Sequence, residues 1–257
     1  MKITMCELPQ DWTSDPGVET ALKAHLLENQ SELLLLPEMG FHPWLAASKS
    51  PNIAQWEAAV GAHLTWIDRL GEWPVPMVAG TRPVLKDGVP LNMAWIWTRE
   101  DGLMDIHEKY YLPDEEGFWE ASWYRMGNGL FNLVEINGLK LGFLICTELW
   151  FTDRAREYAR EGIDILLCPR ATPDTSIGVW AAGGQVAAWV SGAYCISSNF
   201  NGPIKPGMAF GGTGWVTEPD RGEFLGKTSM ETPFVTLDID TRLPARAKAG
   251  YPRYVKE

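Results

Sequence analysis

Short apolar runs of strand length alternate with helix-like stretches along almost the whole chain, and no other property of the sequence restricts the fold as strongly. Strand-like runs lie at residues 3–8, 33–36, 77–79, 94–98, 103–107, 130–136, 139–146, 163–168, 194–198, 214–217 and 234–239. Helical spacing fits residues 17–28, 51–70, 153–161 and 178–191. Asn137-Gly138 separates two apolar runs, and that dipeptide favours a type I′ hairpin, whose two central residues need positive φ. Asp101-Gly102 predicts a second hairpin, and Asp87-Gly88 a looser turn. Hairpins inside the alternation indicate a mixed, β-rich α/β protein rather than a simple βαβ ladder.

Composition sets the scale of that fold. At 257 residues and 46% hydrophobic, the chain can bury a large core as one domain over residues 1–257, without disulfide or metal staples. The longest strongly apolar run, residues 33–36, is far too short to cross a bilayer. Residues 1–7 contain no apolar core of signal-peptide length, so a cytoplasmic protein is expected. Lys and Arg total 22 against 33 Asp and Glu, a formal charge of −11, which repels a phosphate backbone. Nucleic acid and membrane are therefore not expected partners. The one basic stretch, with Arg242, Arg246, Lys248, Arg253 and Lys256, reads as a solvated or subunit-contacting tail. Cys6, Cys146, Cys168 and Cys195 form no CxxC pair, so neither a zinc site nor a disulfide scaffold is expected.

Two five-residue segments echo each other: Leu34-Leu35-Leu36-Pro37-Glu38 and Leu166-Leu167-Cys168-Pro169-Arg170. Each is an apolar strand that delivers a charge at its carboxyl end, where α/β sheets build sites. Glu38 there can serve as a base, since a buried carboxylate has a raised pKa; a helix cap or salt-bridge partner is the alternative. Lys109 closes another strand and could stabilise an oxyanion, or be an ordinary surface lysine. Cys146 follows the buried-strand pattern Leu141-Gly142-Phe143-Leu144-Ile145. A thiol at a strand-to-helix turn is held rigidly near a helix N-terminus, which favours thiolate; a core cysteine is the plainer reading. Arg170 could hold a substrate anion or pair with Glu148. His107, two residues before Lys109, could form a Cys–His pair or simply pack.

Taken together, these segments resemble the nitrilase superfamily of carbon–nitrogen hydrolases. The matching pieces are Leu36-Pro37-Glu38, Glu108-Lys109-Tyr110-Tyr111-Leu112-Pro113-Asp114 and Gly142-Phe143-Leu144-Ile145-Cys146. Glu120 sits where the family carries a second glutamate. Residues 165–171, 185–199 and 211–216 resemble the family's later strands and helix in the right order. After the cysteine, Thr147 replaces a frequent aromatic residue while Glu148 keeps the acid, and Trp150-Phe151 stand where carbamoyl amino acid amidases can carry arginines.

The resemblance implies a four-layer αββα sandwich, paired into a homodimer or larger homo-oligomer. It implies an amidase-like hydrolase that uses a Glu38-Lys109-Cys146 triad with Glu120 beside it, and no metal or organic cofactor. The substrate would be a small amide, with nitriles and carbamoyl amines as alternatives. The Thr147 backbone N–H would join Lys109 at the oxyanion, and Glu148 and Arg170 are candidate substrate contacts. An idle family fold that binds a metabolite, or a Cys–His peptidase using His107, are the competing readings.

Overall fold

The computed structural model describes residues 1–255. Its elements in chain order begin with β1 (Lys2–Pro9), α1 (Pro16–Asn29), β2 (Leu33–Leu35) and α2 (Ile53–Asp68). There follow β3 (Met77–Lys86), β4 (Val89–Thr98), β5 (Gly102–Glu108) and the short helix α3 (Glu120–Trp123). The second half runs β6 (Val134–Ile136), β7 (Leu139–Phe143), α4 (Thr152–Glu161), β8 (Ile165–Pro169) and α5 (Ile177–Ser191). It closes with β9 (Tyr194–Lys205), β10 (Met208–Gly211), β11 (Trp215–Thr217), β12 (Phe224–Lys227), β13 (Phe234–Asp238) and α6 (Leu243–Lys248).

Strand pairing divides these into two six-stranded sheets, ordered β5-β4-β3-β2-β1-β13 and β6-β7-β8-β9-β11-β12. They share one seam, where Glu7–Pro9 at the end of β1 pairs in parallel with Asn199–Asn201 of β9. β10 extends β9 beyond that seam. The period of two explains the layering. Leu33 and Leu35 of β2 join Ile3, Met5, Phe143 and Leu167 in one core between the sheets. Leu34 and Leu36 point the other way, onto Leu22 and Leu26 of α1 and Trp56 of α2. Each such fully buried leucine contributes about 2 kcal/mol. On the second sheet α4 and α5 supply Ala155, Tyr158, Ala187 and Ala188. The expected αββα sandwich is therefore the observed architecture.

Helix ends follow local chemistry. Asp15 caps α1 through Gly17 N–H, and Asn52 caps α2 through Ala54 and Gln55 N–H. Gly162 and Gly192 end α4 and α5 in left-handed conformations. Gly184 is needed for a different reason. A Cβ there would lie 2.5 Å from the Trp215 ring nitrogen, so glycine lets α5 settle on β11.

Several boundaries differ from the sequence expectation. The expected strand at 77–79 continues to Lys86 through Pro83, which is tolerated because β2 pairs no farther than Ala79 and β3 is an edge beyond it. The Asp87-Gly88 turn is as tight as the Asn137-Gly138 one, joining Lys86 directly to Val89 with both turn residues at positive φ. The run 130–136 shortens to Val134–Ile136, because Leu130 turns outward and its N–H bonds the Asn128 side chain. Strand 139–146 stops at Phe143, since the Ile145 N–H is taken by the Glu148 carboxylate instead of a ladder partner. The basic tail is solvated only in part: Arg242 and Arg246 are exposed, while residues 243–248 are helical and the Arg253 side chain donates to the Trp189 and Ala247 carbonyls. Lys256 lies outside the described residues. Among the described residues, no helix is long and apolar enough to cross a membrane.

Candidate active site

Four segments from both sheets converge on one buried cluster. Glu38 follows β2 through Pro37, and its N–H donates to the Arg170 carbonyl at the end of β8. Lys109 follows β5, its N–H held by the Asn92 carbonyl of β4 at 2.9 Å. Glu120 opens α3, and Cys146 opens a 3-10 turn over Cys146–Trp150 directly after β7. Glu38, Lys109 and Glu120 are fully buried and Cys146 is 3% exposed.

The lysine organises the cluster. Lys109 Nζ donates to Glu38 Oε1 at 2.7 Å and to Glu120 Oε2 at 2.5 Å. Asn92 Nδ2 donates to the same Glu38 oxygen at 2.8 Å, and Tyr124 Oη donates to Glu120 Oε2. The Cys146 thiol neighbours the Glu38 carboxylate, whose Oε2 makes no hydrogen bond of ordinary length. Glu120 Oε1 and Asn92 Oδ1 are likewise buried acceptors without a partner. Buried acceptors are almost always satisfied, so these oxygens retain the capacity to accept a further donor.

Electrostatics follow from this burial. Glu38 is raised above the usual carboxylate range by burial, which Lys109, Cys146 and Asn92 only partly offset. Glu120 is raised as well, by burial first and then by Glu38, against the opposing pull of Lys109. Burial opposes the Lys109 charge, but Glu120, Glu38 and Cys146 outweigh it and hold the ammonium above its ordinary value. The cysteine departs from expectation. Burial first, then Glu38 and Glu120, push its thiol strongly up despite Lys109. The turn it opens is five residues long and separate from α4, so no long helix supplies a compensating N-terminus. A neutral thiol in this setting needs a base.

Cys146 also has φ +47°, in the left-handed region. A non-glycine residue held there stores about 1 to 3 kcal/mol, supported by its surroundings. The Glu148 side chain supplies that support. Its Oε2 accepts from Ile145 N–H and from His107 Nε2, both at 2.8 Å, and Oε1 accepts from Tyr110 N–H at 2.7 Å. Glu148 is thus engaged inside the protein rather than presented to a substrate, and His107 faces it rather than the thiol. Arg170 is equally engaged, and not with Glu148. Its guanidinium donates to Ser197 Oγ, Thr172 Oγ1 and the Thr213 carbonyl, each at 2.7 Å, and lies 3.9 Å from the Trp215 ring centre. The expected pairing of Arg170 with Glu148 is not formed. Thr147 occupies the second position of the cysteine's turn.

Asn92 and Tyr124 belong to this cluster and were not foreseen. The readable signal was an asparagine inside the apolar run Leu91-Asn92-Met93-Ala94-Trp95-Ile96, where a buried amide must find a partner. The expected strand began two residues later and left it out.

The family model for carbon-nitrogen hydrolases matches residues 2–246. The citrullinase of Francisella tularensis is 32% identical over 72 residues, 28% of this chain and 25% of that protein. The chain therefore spans about a quarter of the length of that curated relative. The 2-oxoglutaramate amidase of Bacillus subtilis is 24% identical over 98% of this chain and 96% of its own. Among solved structures, a carbon-nitrogen hydrolase from Helicobacter pylori G27 superposes with a TM-score of 0.82 at 21% identity, covering 98% of this chain and 94% of that one. A mutant amidase from Nesterenkonia sp. AN1, which shows Michael addition of acrylamide at its active-site cysteine, gives 0.75 at 21% identity, with 97% of each chain covered.

Proposed function

Because the chain belongs to the carbon–nitrogen hydrolase family, we propose that it hydrolyses a small amide through a thioester on Cys146. The observation that carries this reading is the Lys109 ammonium held between Glu38 and Glu120 beside the Cys146 thiol, all shielded from water. The acrylamide adduct on the cysteine of the Nesterenkonia amidase supports Cys146 as the nucleophile here.

Glu38 takes the thiol proton as sulfur bonds to the carbonyl carbon. The resulting oxyanion is met by the third N–H of Lys109 and the Thr147 backbone N–H. One such donor lowers a barrier by about 3 to 4 kcal/mol. Collapse of the intermediate breaks the C–N bond, and Glu38 returns the proton to the departing nitrogen. Water, deprotonated by Glu38, then attacks the thioester, releasing the acid and restoring the thiol. Glu120 holds Lys109 and offers Oε1 to a substrate N–H.

With Glu38 Oε2 reserved for the thiol proton, the unpartnered Glu120 Oε1 and Asn92 Oδ1 favour a substrate ending in C(=O)NH2, which brings two N–H donors, over a nitrile, which brings none. A carbamoyl amine carries the same terminal group, and the citrullinase relative supports that second reading. Trp150, Val179 and Val186, all exposed, support the expected homodimer or larger homo-oligomer, and a cytoplasmic location completes the proposal.

The test is ammonia release from a panel of short primary amides, carbamoyl amines and nitriles, with Cys146→Ala as the blank. Release that depends on Cys146 from amides alone confirms the amidase. Equal release of ammonia and carbon dioxide identifies the carbamoyl branch. Turnover retained in Cys146→Ala overturns the mechanism.

A further inference from the structure

Glu148 ties together the two segments that carry the reacting groups. One of its bonds reaches Ile145 N–H, the residue before Cys146, and another reaches Tyr110 N–H, the residue after Lys109. The third comes from His107, whose other ring nitrogen, Nδ1, lies 3.0 Å from the Leu130 carbonyl. The Leu130 carbonyl can only accept, so Nδ1 donates; against an ionised Glu148 carboxylate Nε2 donates too, which makes the ring an imidazolium. Neither side chain of the pair is exposed to solvent.

From this geometry we propose that Glu148, braced by the His107 imidazolium, is a positioning residue that locks the placement of Cys146 relative to Lys109. The inference rests on the Cys146 mechanism proposed above. The carboxylate has two oxygens and three donors, and the donors come from the β5 strand, the segment after it and the turn after β7. No backbone ladder joins Ile145 to Tyr110, so the carboxylate is their direct link. The cation is necessary because a buried carboxylate without a counter-charge tends to take up a proton and lose an acceptor. His107 is supported from several sides. Burial opposes its charge, but Glu148, the Leu130 carbonyl and Glu108 together raise its pKa above the ordinary value. The Phe131 ring packs 4.5 Å away and closes the remaining face.

The strap predicts a defect in reaction rather than in binding. Saturable inactivation by iodoacetamide, with the labelled peptide identified by mass spectrometry, separates the two through kinact and KI. In Glu148→Gln one donor faces an amide NH2 in place of an oxygen, and the thiol and ammonium drift apart. A misplacement of about 1 Å costs about 100-fold, so kinact should fall by about that factor while KI stays within about threefold. His107→Leu removes the counter-charge, so the Glu148 carboxylate tends to take up a proton and hold one backbone N–H less firmly, and kinact should fall about tenfold. Circular dichroism and thermal midpoints establish that each variant is folded. If Glu148→Gln does not fold, His107→Leu carries the same criterion.

A folded variant with kinact unchanged overturns the strap. So does a rise in KI with kinact retained, which would make Glu148 a substrate contact. Failure of the parent to label Cys146 overturns instead the mechanism on which the strap rests.

Discussion

Residues 34–38 and 166–170 have the same build, three small or branched apolar residues, a proline and a charge. Their strands occupy equivalent places: β2 adjoins β1, β8 adjoins β9, and β1 and β9 form the seam between the sheets. The two ends even touch, through the Glu38 N–H and the Arg170 carbonyl at 3.2 Å. Their charges nevertheless differ in how completely they are satisfied. Arg170 is surrounded by three acceptors and an indole face, and burial lowers its pKa only to about 10, so it is still a cation at neutrality. Glu38 has one oxygen bound by Asn92 and Lys109 and the other without an ordinary partner. A buried charge with its bonding complete is a structural bolt. A buried charge left incomplete is available to a reactant.

The largest expected effect comes from the incomplete one. Glu38→Gln removes the proposed base, and general-base loss costs about 1,000-fold in turnover. In the parent, turnover should fall on acidification through a value above the ordinary 4.5, because burial raises Glu38 and only its ionised form accepts the thiol proton. The stability sign runs the other way. A carboxyl whose folded pKa is raised favours the folded state most below 4.5, and this contribution is lost as pH rises through the raised value. Thermal midpoints of parent and Glu38→Gln measured from pH 5 to pH 8 should therefore shift in favour of the variant with rising pH. A constant difference would show that Glu38 is as fully satisfied as Arg170.

Much of this was legible in the chain. Leu33 to Leu36 alternate between the two cores as a period of two requires, and Asn137-Gly138 forms the hairpin its chemistry demands. Glu38, Lys109 and Cys146 each close an apolar strand, and it is their combination, matching the family resemblance, that singles them out. The uses of Arg170 and Glu148 could not be read, because, apart from the Trp215 ring and His107, their partners are backbone groups and hydroxyls. Thr213 lies 43 positions from Arg170, and Tyr110 lies 38 from Glu148. Any residue can offer a carbonyl or an N–H, so no residue type announces such a contact. The segments at 208–211 and 224–227 escaped for another reason: they are short, half-exposed and interrupted by glycine, so their strand character comes from β9 and β11.

Arg170→Met probes the satisfied charge at intermediate magnitude. Methionine fills much of the volume beside Trp215 but leaves the Thr213 carbonyl without its donor. Ser197 Oγ also donates to the Cys168 carbonyl, and Thr172 Oγ1 also accepts from Asn199, so these two keep a partner. One newly orphaned acceptor costs about 2 kcal/mol, readable as a lower urea midpoint. Turnover per folded molecule should stay within about threefold. A 100-fold loss of turnover with an unchanged midpoint would put Arg170 in the site and dissolve the contrast with Glu38.

Cys168 gives the finest version of the contrast, since it occupies in its strand the place that Leu36 occupies beside Glu38. Its side chain is fully buried, burial holds the thiol well above its ordinary pKa, and the groups acting on it include no carboxylate of the kind Glu38 offers Cys146, so it should resist iodoacetamide in the folded protein. Truncation to alanine removes roughly one methylene equivalent of packing, about 1 kcal/mol. The backbone that presents Arg170 is held independently, because the Arg170 N–H donates to the Ser198 carbonyl and the Cys168 carbonyl accepts from Ser197. Cys168→Ala should therefore lower the urea midpoint slightly and leave the rate of Cys146 labelling unchanged. A tenfold slower labelling would mean that packing at this strand end reaches the thiol, through the Ala171 carbonyl that lies 3.9 Å from Cys146 Sγ. In that case the two strand ends would share the work of holding the site, and the difference between them would be one of degree.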